Sequence, residues 1–390
     1  METKLIHAGE PDPPINGAIS MPIFQSSTFA YTGETSYHDL RYIRLNNTPN
    51  HVALHQKLAA LENAEAALVM ASGMAAVSTV LLAVLSSGDH FLAQDCLYGG
   101  THDLITQNLT NLGIAFDFID GNDPDSWKTK LRPRTRAIFV ETMTNPLLEV
   151  ADLEAVVAFS KEHGLISIID NTFASPINFR PIDLGYDLSL HSGSKYLNGH
   201  SDIVAGAVIG RADLVTKVTH TLNHFGGSLD PHACFLLHRG LKTLAVRMRY
   251  QNESTLRIAM FLEQHPAVEK VNYPGLESHP EHQRAKRLFD GFSGMLSFEL
   301  KGGMEAAERF IRRTTLPFVA PSLGGIETLI TRPVTTSHAG LSPEDREKIG
   351  ISDGLIRLSV GIESTEDLME DFRQALERTG KTGTAGALDI

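Results

Sequence analysis

The arrangement of apolar and polar positions along residues 51–210 changes repeatedly between helical spacing and short buried runs. Apolar residues three and four apart predict helices in VALHQKLAALE, SGMAAVSTVLLAVL and DLEAVVAFSKEHG. Short apolar runs predict strands in AALVM, DHFLAQD, GIAFDFID, RAIFVET, LISIID, DLSLHS and IVAGAVIG. Strands that alternate with helices predict an α/β fold with a mostly parallel, doubly wound sheet.

The pattern changes near Pro231, where a long helical stretch over 234–265 begins. Beyond it, VEKVNYP, MLSFEL and IRLSVG predict strands, and PEHQRAKRLF and TEDLMEDFRQALER predict amphipathic helices. This order predicts a smaller α+β domain, with the long helix as the link between the two domains.

Three segments are therefore expected: an N-terminal arm (1–50), a large domain (51–245) and a small C-terminal domain (246–390). The arm is rich in Pro, Ser and Thr and has no sustained periodicity, which predicts an extended segment running over a surface. The last ten residues, KTGTAGALDI, are small and polar and are expected to fray.

Composition narrows the class of protein. The chain has 390 residues, 42% hydrophobic and 21% charged, as in globular enzymes of more than one domain. A net charge of −12 gives no general support to nucleic-acid binding. We expect no membrane span and no export signal, because no segment reaches the roughly 20 apolar residues of a span and the N-terminus lacks an apolar core. Cys96 and Cys234 form no metal or disulfide pattern, so we expect no metal site and a cytoplasmic location.

The segment HSGSKYLNGHSD, residues 191–202, carries the first candidate chemistry, directly after a predicted buried strand. Lys195 follows Ser192 and Ser194 there. A lysine becomes a nucleophile when burial or nearby cations keep its amine deprotonated. The two serine hydroxyls are suitably spaced to bind one phosphate group. Taken alone, the same residues are more typical of a solvated turn.

Two other strand ends carry candidate binding groups. Asp170 ends the apolar run of LISIID, where ligands bind in open α/β sheets, although a helix N-cap or a turn would also explain it. Ser72, Gly73 and Met74 join a strand to a helix, and backbone N–H groups at a helix N-terminus bind phosphate. The spacing is not G-x-G-x-x-G, which disfavours a dinucleotide.

An aromatic residue and an arginine complete the candidates. Tyr98, in CLYGGTHD, follows a predicted strand and would reach the same sheet edge, unless it is a core residue. Arg357 lies inside the apolar strand LIRLSVGIE and needs an anionic partner if it is buried. A substrate carboxylate and a structural ion pair both satisfy that need.

In their order, the motifs ASGMAA, YGGT, ETMTNP, DNTFASP, HSGSKYLNGHSD, SLGG and IRLSVGIE resemble the Cys/Met-metabolism family of pyridoxal 5'-phosphate (PLP) enzymes. The resemblance runs from TKLIHAG at residue 3 to the helix ending near residue 378. The family includes cystathionine γ-lyase, cystathionine β-lyase, cystathionine γ-synthase and methionine γ-lyase. The resemblance implies fold type I, the aspartate-aminotransferase-like fold, with PLP as cofactor.

The resemblance also implies a role for each candidate. Lys195 would carry PLP as a Schiff base, Asp170 would pair with the pyridine nitrogen, and Tyr98 would stack on the ring and protonate the leaving sulfur. The cofactor's phosphate would be bound by Gly73, Met74, Ser192 and Ser194, with Tyr42 and Arg44 from a neighbouring subunit. The substrate would be bound by Asn145, Ser322 and Arg357. Glu141 and Thr172 would support these groups, Thr172 as part of the cofactor-binding set.

The activity implied by the resemblance is carbon–sulfur cleavage of cystathionine-like amino acids by γ-elimination, β-elimination or both, in a homo-oligomer that is a dimer of dimers. The alternative is a cystathionine γ-synthase, which replaces the acyl group of an O-acylhomoserine with cysteine. A PLP-binding protein without activity is a further alternative, disfavoured by the presence of both Lys195 and Tyr98. A nicotinamide dehydrogenase is disfavoured by the missing glycine motif.

The chain departs from the family pattern at three places. YIRLNNTPNH keeps the spacing of Tyr42 and Arg44 but has Asn46-Asn47-Thr48-Pro49 where the family has Asn-Pro-Thr, so the turn is expected to differ. Pro321 stands where many γ-lyases and bacterial γ-synthases carry Glu, which weakens the expected selectivity for cystathionine. Gly100 stands where methionine γ-lyases have Cys, which disfavours that activity.

Overall fold

The computed structural model describes residues 1–336, 339, 342, 344, 346 and 349–377. Its α-helices are α1 (Glu2–His7), α2 (Pro49–Leu61), α3 (Gly73–Val84), α4 (Gly99–Asp103), α5 (Pro124–Trp127), α6 (Leu153–His163), α7 (Ser175–Asn178), α8 (Pro181–Leu184), α9 (Ala212–Phe225), α10 (Pro231–Leu241), α11 (Leu244–Glu263), α12 (His282–Leu288), α13 (Gly303–Arg313) and α14 (Thr365–Glu377). Single 3₁₀ turns lie at Ile15–Gly17, Tyr37–Asp39, Ile43–Leu45, Lys128–Lys130 and Pro333–Thr335, and a π-helical segment, Leu104–Leu109, continues α4.

The strands form two sheets. They are β1 (Ala66–Met70), β2 (His90–Gln94), β3 (Ala115–Ile119), β4 (Thr135–Glu141), β5 (Ile166–Asp170), β6 (Leu188–Ser192), β7 (Gly206–Gly210), β8 (Val268–Asn272), β9 (Met295–Leu300), β10 (Phe318–Val319), β11 (Leu329–Thr331) and β12 (Leu355–Ser359). The large sheet has the order β1-β7-β6-β5-β4-β2-β3 and the smaller one β10-β11-β12-β9-β8. Within the large sheet β7 runs antiparallel to β1 and β6, and the other pairs are parallel.

The parallel arrangement brings the carboxyl ends of β1, β2, β4, β5 and β6 to one edge of the large sheet. β4 and β5 pair so that Glu141 lies opposite Asp170, and β5 and β6 pair so that Asp170 lies opposite Leu190. Helix α3 starts close to this edge because β1 ends at Met70, only a few residues earlier. Ser72 caps the helix by accepting a hydrogen bond from the Ala75 N–H at 2.9 Å. The sheet edge and the start of α3 therefore face the same space.

Both faces of the large sheet are covered by helices, so its strands are apolar on both sides. One core includes Leu54 of α2, Val156 of α6 and Met248 of α11, and the other includes Val77 of α3 and Val218 of α9. A third core lies between the smaller sheet and α11, α13 and α14. Because α11 contributes to the first and third cores, it joins the two sheets.

The expected α/β architecture is confirmed, including a mostly parallel sheet followed by a smaller sheet. The prediction of one long helix over 234–265 is wrong in one respect, because the helix is interrupted between Leu241 and Leu244 and forms α10 and α11. The prediction of an extended arm is wrong for residues 2–7, because they form α1 and bury Leu5 in the first core.

The domain limits at 50/51 and 245/246 stay predictions; the two sheets lie within 66–210 and 268–359. The predicted fraying of KTGTAGALDI falls outside the described residues. In the described part of the chain, no helix has both the length and the apolar character needed to cross a membrane.

Candidate active site

A cavity of about 1220 Å³ lies between the carboxyl-end edge of the large sheet and the smaller sheet. It brings together most of the residues predicted from the sequence. From the large sheet, the lining residues include Gly73, Met74, Tyr98, Glu141, Asn145, Asp170, Thr172, Ser192, Ser194 and Lys195; from the C-terminal part they include Pro321, Ser322, Glu327 and Arg357.

Lys195 lies in the turn that follows β6 and extends into the cavity. Its Nζ donates a hydrogen bond to the Ser322 hydroxyl at 2.7 Å. Burial, together with the nearby Arg357 guanidinium, lowers the pKa of Lys195 to about 8. A lysine of this kind has a substantial neutral fraction near neutral pH, which is what a nucleophile or a base requires.

Two carboxyl groups lie at neighbouring strand ends. Asp170 ends β5 and accepts a hydrogen bond from the Thr172 N–H at 2.9 Å, and Glu141 ends β4 and accepts one from the Tyr98 N–H at 2.7 Å. Burial raises the pKa of both carboxyls, and the charge of Asp170 raises that of Glu141 further. A cationic group bound beside Asp170 would relieve this unfavourable burial of negative charge.

The start of α3 and the turn after β6 form a cradle lined with donors. A Cβ on Gly73 would lie 2.8 Å from the Ser192 Cβ, so only glycine allows this approach. The first N–H groups of a helix have no partner within the helix, which leaves those at the start of α3 available to an anion. The Ser192 N–H donates to the Thr172 hydroxyl at 2.8 Å, and the Ala205 N–H donates to the Ser194 hydroxyl at 2.9 Å. These contacts hold the turn in place.

Tyr98 lies at the beginning of α4 with its side chain 46% exposed, so it is not a core residue. A Cβ on Gly100 would lie 2.7 Å from the Tyr98 Cε1. The glycine thus leaves room for the ring as it stands, and a cysteine at position 100 would have to displace it.

Arg357 lies on β12 and is 6% exposed. Its guanidinium donates to the Asn145 Oδ1 at 3.0 Å and to the Ser322 carbonyl at 3.1 Å. Burial lowers the pKa of Arg357 to about 10, so it stays charged at neutral pH. Among the residues that the structure describes, it has no carboxylate partner, and this favours the substrate carboxylate over a structural ion pair.

Tyr42 and Arg44 do not line this cavity. Arg44 donates to the Asn223 carbonyl at 2.8 Å and to the Tyr37 hydroxyl. The turn that follows them is built on Asn46, whose φ is 57° and whose amide group donates to the Val69 carbonyl and accepts from the Leu229 N–H. Pro49 then starts α2. The altered sequence after Arg44 thus forms a turn anchored to the large domain.

Sequence reasoning missed several cavity residues, among them Glu327, Ser201 and Thr101. Glu327 and Ser201 line the C-terminal side, and the Ser201 hydroxyl donates to the Glu327 carboxylate at 3.0 Å. Thr101 is fully buried against the cavity, and its hydroxyl has no hydrogen-bond partner among the described residues. Thr101 belongs to YGGT and Ser201 to HSGSKYLNGHSD, so the motifs pointed to their neighbourhood, whereas no local pattern singled out Glu327.

The arrangement fits PLP. Lys195 supplies an amine for the aldehyde, Asp170 a carboxylate for the pyridine nitrogen, and the cradle N–H groups and hydroxyls suit a phosphate. Burial raises the pKa of Asp170, and a pyridinium bound beside it would supply the positive charge that stabilises the carboxylate there. Among the residues that the structure describes, no cluster of three or more His, Cys, Asp or Glu is suited to a metal.

Comparison with known proteins gives a consistent answer. The model of the family described as Cys/Met metabolism PLP-dependent enzyme matches residues 2–377. A Lactococcus lactis protein named cystathionine beta-lyase is 42% identical over 97% of this chain and 99% of its own length. A Bacillus subtilis cystathionine gamma-lyase is 42% identical over 96% and 99%. The structure of cystathionine gamma-lyase from Lactobacillus plantarum, complexed with L-serine, superposes with a TM-score of 0.91 at 40% identity and covers 96% of this chain and 98% of its own.

Proposed function

Since the chain belongs to the Cys/Met metabolism PLP-dependent enzyme family, we propose that it is a carbon–sulfur lyase that cleaves cystathionine-like amino acids by γ-elimination, β-elimination or both. It is thus an enzyme that uses PLP. The observation that carries the proposed reaction is the shared contact at Ser322, whose hydroxyl accepts from Lys195 and whose carbonyl accepts from Arg357. One residue therefore ties the amine to the carboxylate-binding group.

Lys195, Asp170, Ser192, Ser194 and the start of α3 would hold PLP. When bound, its ring supplies an acceptor for the electron pair left on the substrate Cα. Arg357 would bind the substrate carboxylate with two parallel hydrogen bonds, because its planar guanidinium matches that group and Asn145 orients it. This contact would turn the Cα–H bond towards Lys195, whose amine, released when the substrate amine takes its place on the cofactor, would remove the proton.

Tyr98 would protonate the departing sulfur. Its backbone N–H donates to Glu141, and its half-exposed side chain can approach a thioether in the cavity. The distal part of a cystathionine-like substrate would lie along the C-terminal side. Pro321 provides no charge there, but Glu327, in the same wall, carries a carboxylate that suits a distal ammonium. The chemical names of the relatives support such a substrate.

Product analysis tests this function. The purified enzyme is incubated with cystathionine, with methionine, and with O-acetylhomoserine plus cysteine. Gamma-cleavage of cystathionine gives cysteine, 2-oxobutanoate and ammonia, and beta-cleavage gives homocysteine, pyruvate and ammonia. The proposal requires cystathionine cleavage to be the fastest of the three. Faster formation of cystathionine from O-acetylhomoserine and cysteine would instead identify a γ-synthase.

We also propose that the chain forms a homo-oligomer whose active site is shared across a dimer, with Tyr42 and Arg44 reaching the partner's phosphate site. The support is that both residues lie outside their own cavity, and that Ile19 and Tyr31 of the arm are 89% and 69% exposed. An arm that exposes large apolar side chains is better stabilised against another subunit. Dimers pairing further into a tetramer belong to the same proposal.

Subunit exchange tests the shared site. Lys195→Ala chains are mixed with Arg44→Ala chains, and each mixed dimer then carries one doubly damaged site and one intact site. Random pairing should restore about a quarter of the wild-type sites. No activity above that of the parents, with exchange verified by differently tagged chains, would exclude the shared site.

A cytoplasmic location is proposed on the state of the thiols. Cys96 and Cys234 are both buried and unpaired, and burial raises the pKa of each, so neither is reactive. Unpaired thiols suit a reducing compartment. Cell fractionation should find the chain in the cytoplasmic fraction, and recovery from a secreted fraction would contradict this.

A further inference from the structure

Arg247 is a buried cation that the proposed reaction does not use. It lies in the first turn of α11, is 4% exposed and does not line the cavity. Its Nη1 donates to the Tyr196 carbonyl and its Nη2 to the Gly240 carbonyl, both at 2.9 Å, and its Nε donates to the Thr243 hydroxyl at 3.1 Å. The guanidinium thus joins the residue after Lys195 to the C-terminal end of α10.

The charge of Arg247 is expensive to bury. In the part of the chain that the structure describes, no carboxylate pairs with it, and burial lowers its pKa to about 10. A neutral side chain of similar volume would fill this space without the desolvation cost. What a neutral side chain cannot supply is a rigid fork of donors that holds two carbonyl groups at a fixed separation.

The turn that carries Lys195 is shaped around this fork. Gly199 has φ 72° and donates its N–H to the Lys195 carbonyl at 2.8 Å, and a Cβ there would lie 1.9 Å from the Arg247 Nη1. On the opposite side, the Tyr196 hydroxyl contacts the Ser293 hydroxyl at 3.2 Å. The backbone from Lys195 to Gly199 is therefore held, with Arg247 as the charged contact.

We infer that Arg247 is a positioning residue for Lys195: its guanidinium fixes the turn 195–199 against α10 and α11, so that the lysine amine meets Ser322 and the cofactor aldehyde at the correct distance. The inference rests on the proposed role of Lys195 and goes beyond it, because Arg247 touches neither substrate nor cofactor. Without the fork, the Tyr196 carbonyl loses its donor, the Gly240 carbonyl keeps only its contacts with Thr243, and the turn relaxes to satisfy the buried Tyr196 carbonyl.

The test measures PLP uptake by the apoenzyme together with steady-state kinetics. Arg247→Met should lower the uptake rate and kcat by about tenfold to a hundredfold, since misplacing a reacting group by an ångström has that effect. KM should stay within about threefold, because Arg357 remains in place. Arg247→Lys should recover part of both losses, because one ammonium can reach only one of the two carbonyls.

Arg257→Met is the matched control, because Arg257 lies on the same helix but is 43% exposed and pairs with Glu366; its uptake and kcat should equal those of the wild type. A folded Arg247→Met enzyme with wild-type uptake and kcat would overturn the inference. If Arg247→Met does not fold, Thr243→Val, which removes the acceptor of Nε, decides: about a threefold loss in uptake and kcat is expected, and no loss overturns it.

Lys195→Ala separates this inference from the function on which it rests. Wild-type turnover in Lys195→Ala would remove the proposed role of the lysine itself. Loss of turnover in Lys195→Ala with no effect in Arg247→Met would remove only the positioning role.

Discussion

The two walls of the cavity are built differently. On the sheet wall, formed by the large sheet, Glu141 and Asp170 lie in register at neighbouring strand ends, and Lys195 follows the next strand. On the loop wall, formed by the C-terminal part, Pro321 and Ser322 lie in an irregular segment between β10 and β11. Both residues are exposed there, and Ser322 has φ 96°. The first wall is held by ladder hydrogen bonds, whereas the segment of Pro321 and Ser322 in the second is held by a few side-chain contacts.

This difference suggests a division of work. Groups that act on the reacting atoms need a rigid frame, because small displacements are costly. Groups that recognise the distal end of a substrate are exchanged more readily when they lie on a loop. Changes on the sheet wall should therefore act on kcat, and changes on the loop wall on the choice of substrate.

The largest effect is expected at Lys195. Lys195→Ala takes away the amine that, on the proposed mechanism, attaches PLP and accepts the α-proton, so kcat should fall by at least about 10⁴-fold. The exposed Lys217→Ala on α9 is the control and should keep wild-type kcat. Circular dichroism should show an intact fold in both variants. A Lys195→Ala enzyme with more than a tenth of wild-type kcat would mean that the sheet wall does not carry the chemistry.

Asp170→Asn should have the next largest effect. The amide cannot keep a proton on the pyridine nitrogen, and kcat should fall by about 10²- to 10³-fold, the usual loss for one removed electrostatic contact at a reacting group. The melting temperature should not fall, because burial already raises the pKa of this carboxyl and a neutral side chain is tolerated there. An unchanged kcat would make Asp170 a turn residue only.

Arg357→Lys examines the contact that joins the two walls. A lysine cannot make two parallel bonds to a carboxylate, and the loss of about 2 kcal/mol predicts roughly a 30-fold lower kcat/KM. PLP content should be unchanged. Arg312→Lys, exposed on α13, is the control. If substrates without a carboxylate reacted as well as amino acids in the wild type, Arg357 would not be the carboxylate-binding group.

Pro321→Glu concerns the loop wall alone and should have the smallest effect. An added carboxylate can pair with the distal ammonium of cystathionine, so kcat/KM for cystathionine relative to methionine should rise by about threefold to tenfold; the exposed position limits the gain. Pro321→Gln adds a side chain of similar size without charge and should leave the ratio unchanged. An equal ratio in the two variants would mean that position 321 does not face the distal group.

The sequence was most informative on the sheet wall. Asp170, Ser192 and Lys195 lie next to strands whose apolar runs are visible, and in parallel sheets the ends of such strands meet at one edge. The sequence was least informative on the loop wall, where no local motif marks Glu327 and the folding of the smaller sheet brings it to the cavity. The sequence also did not predict the interruption of the long helix between α10 and α11, where Arg247 contacts the turn after Lys195.

By itself, the sequence determined most of the strands and helices, the order of the motifs and, through them, the family and its cofactor, because periodicity and turn residues report local contacts. The tertiary structure decided that Arg357 and Ser322 lie beside Lys195, that Arg44 lies outside its own cavity, and that the buried Arg247 contacts the turn after Lys195. These depend on packing between elements far apart in the chain, for which a linear pattern holds no distance information.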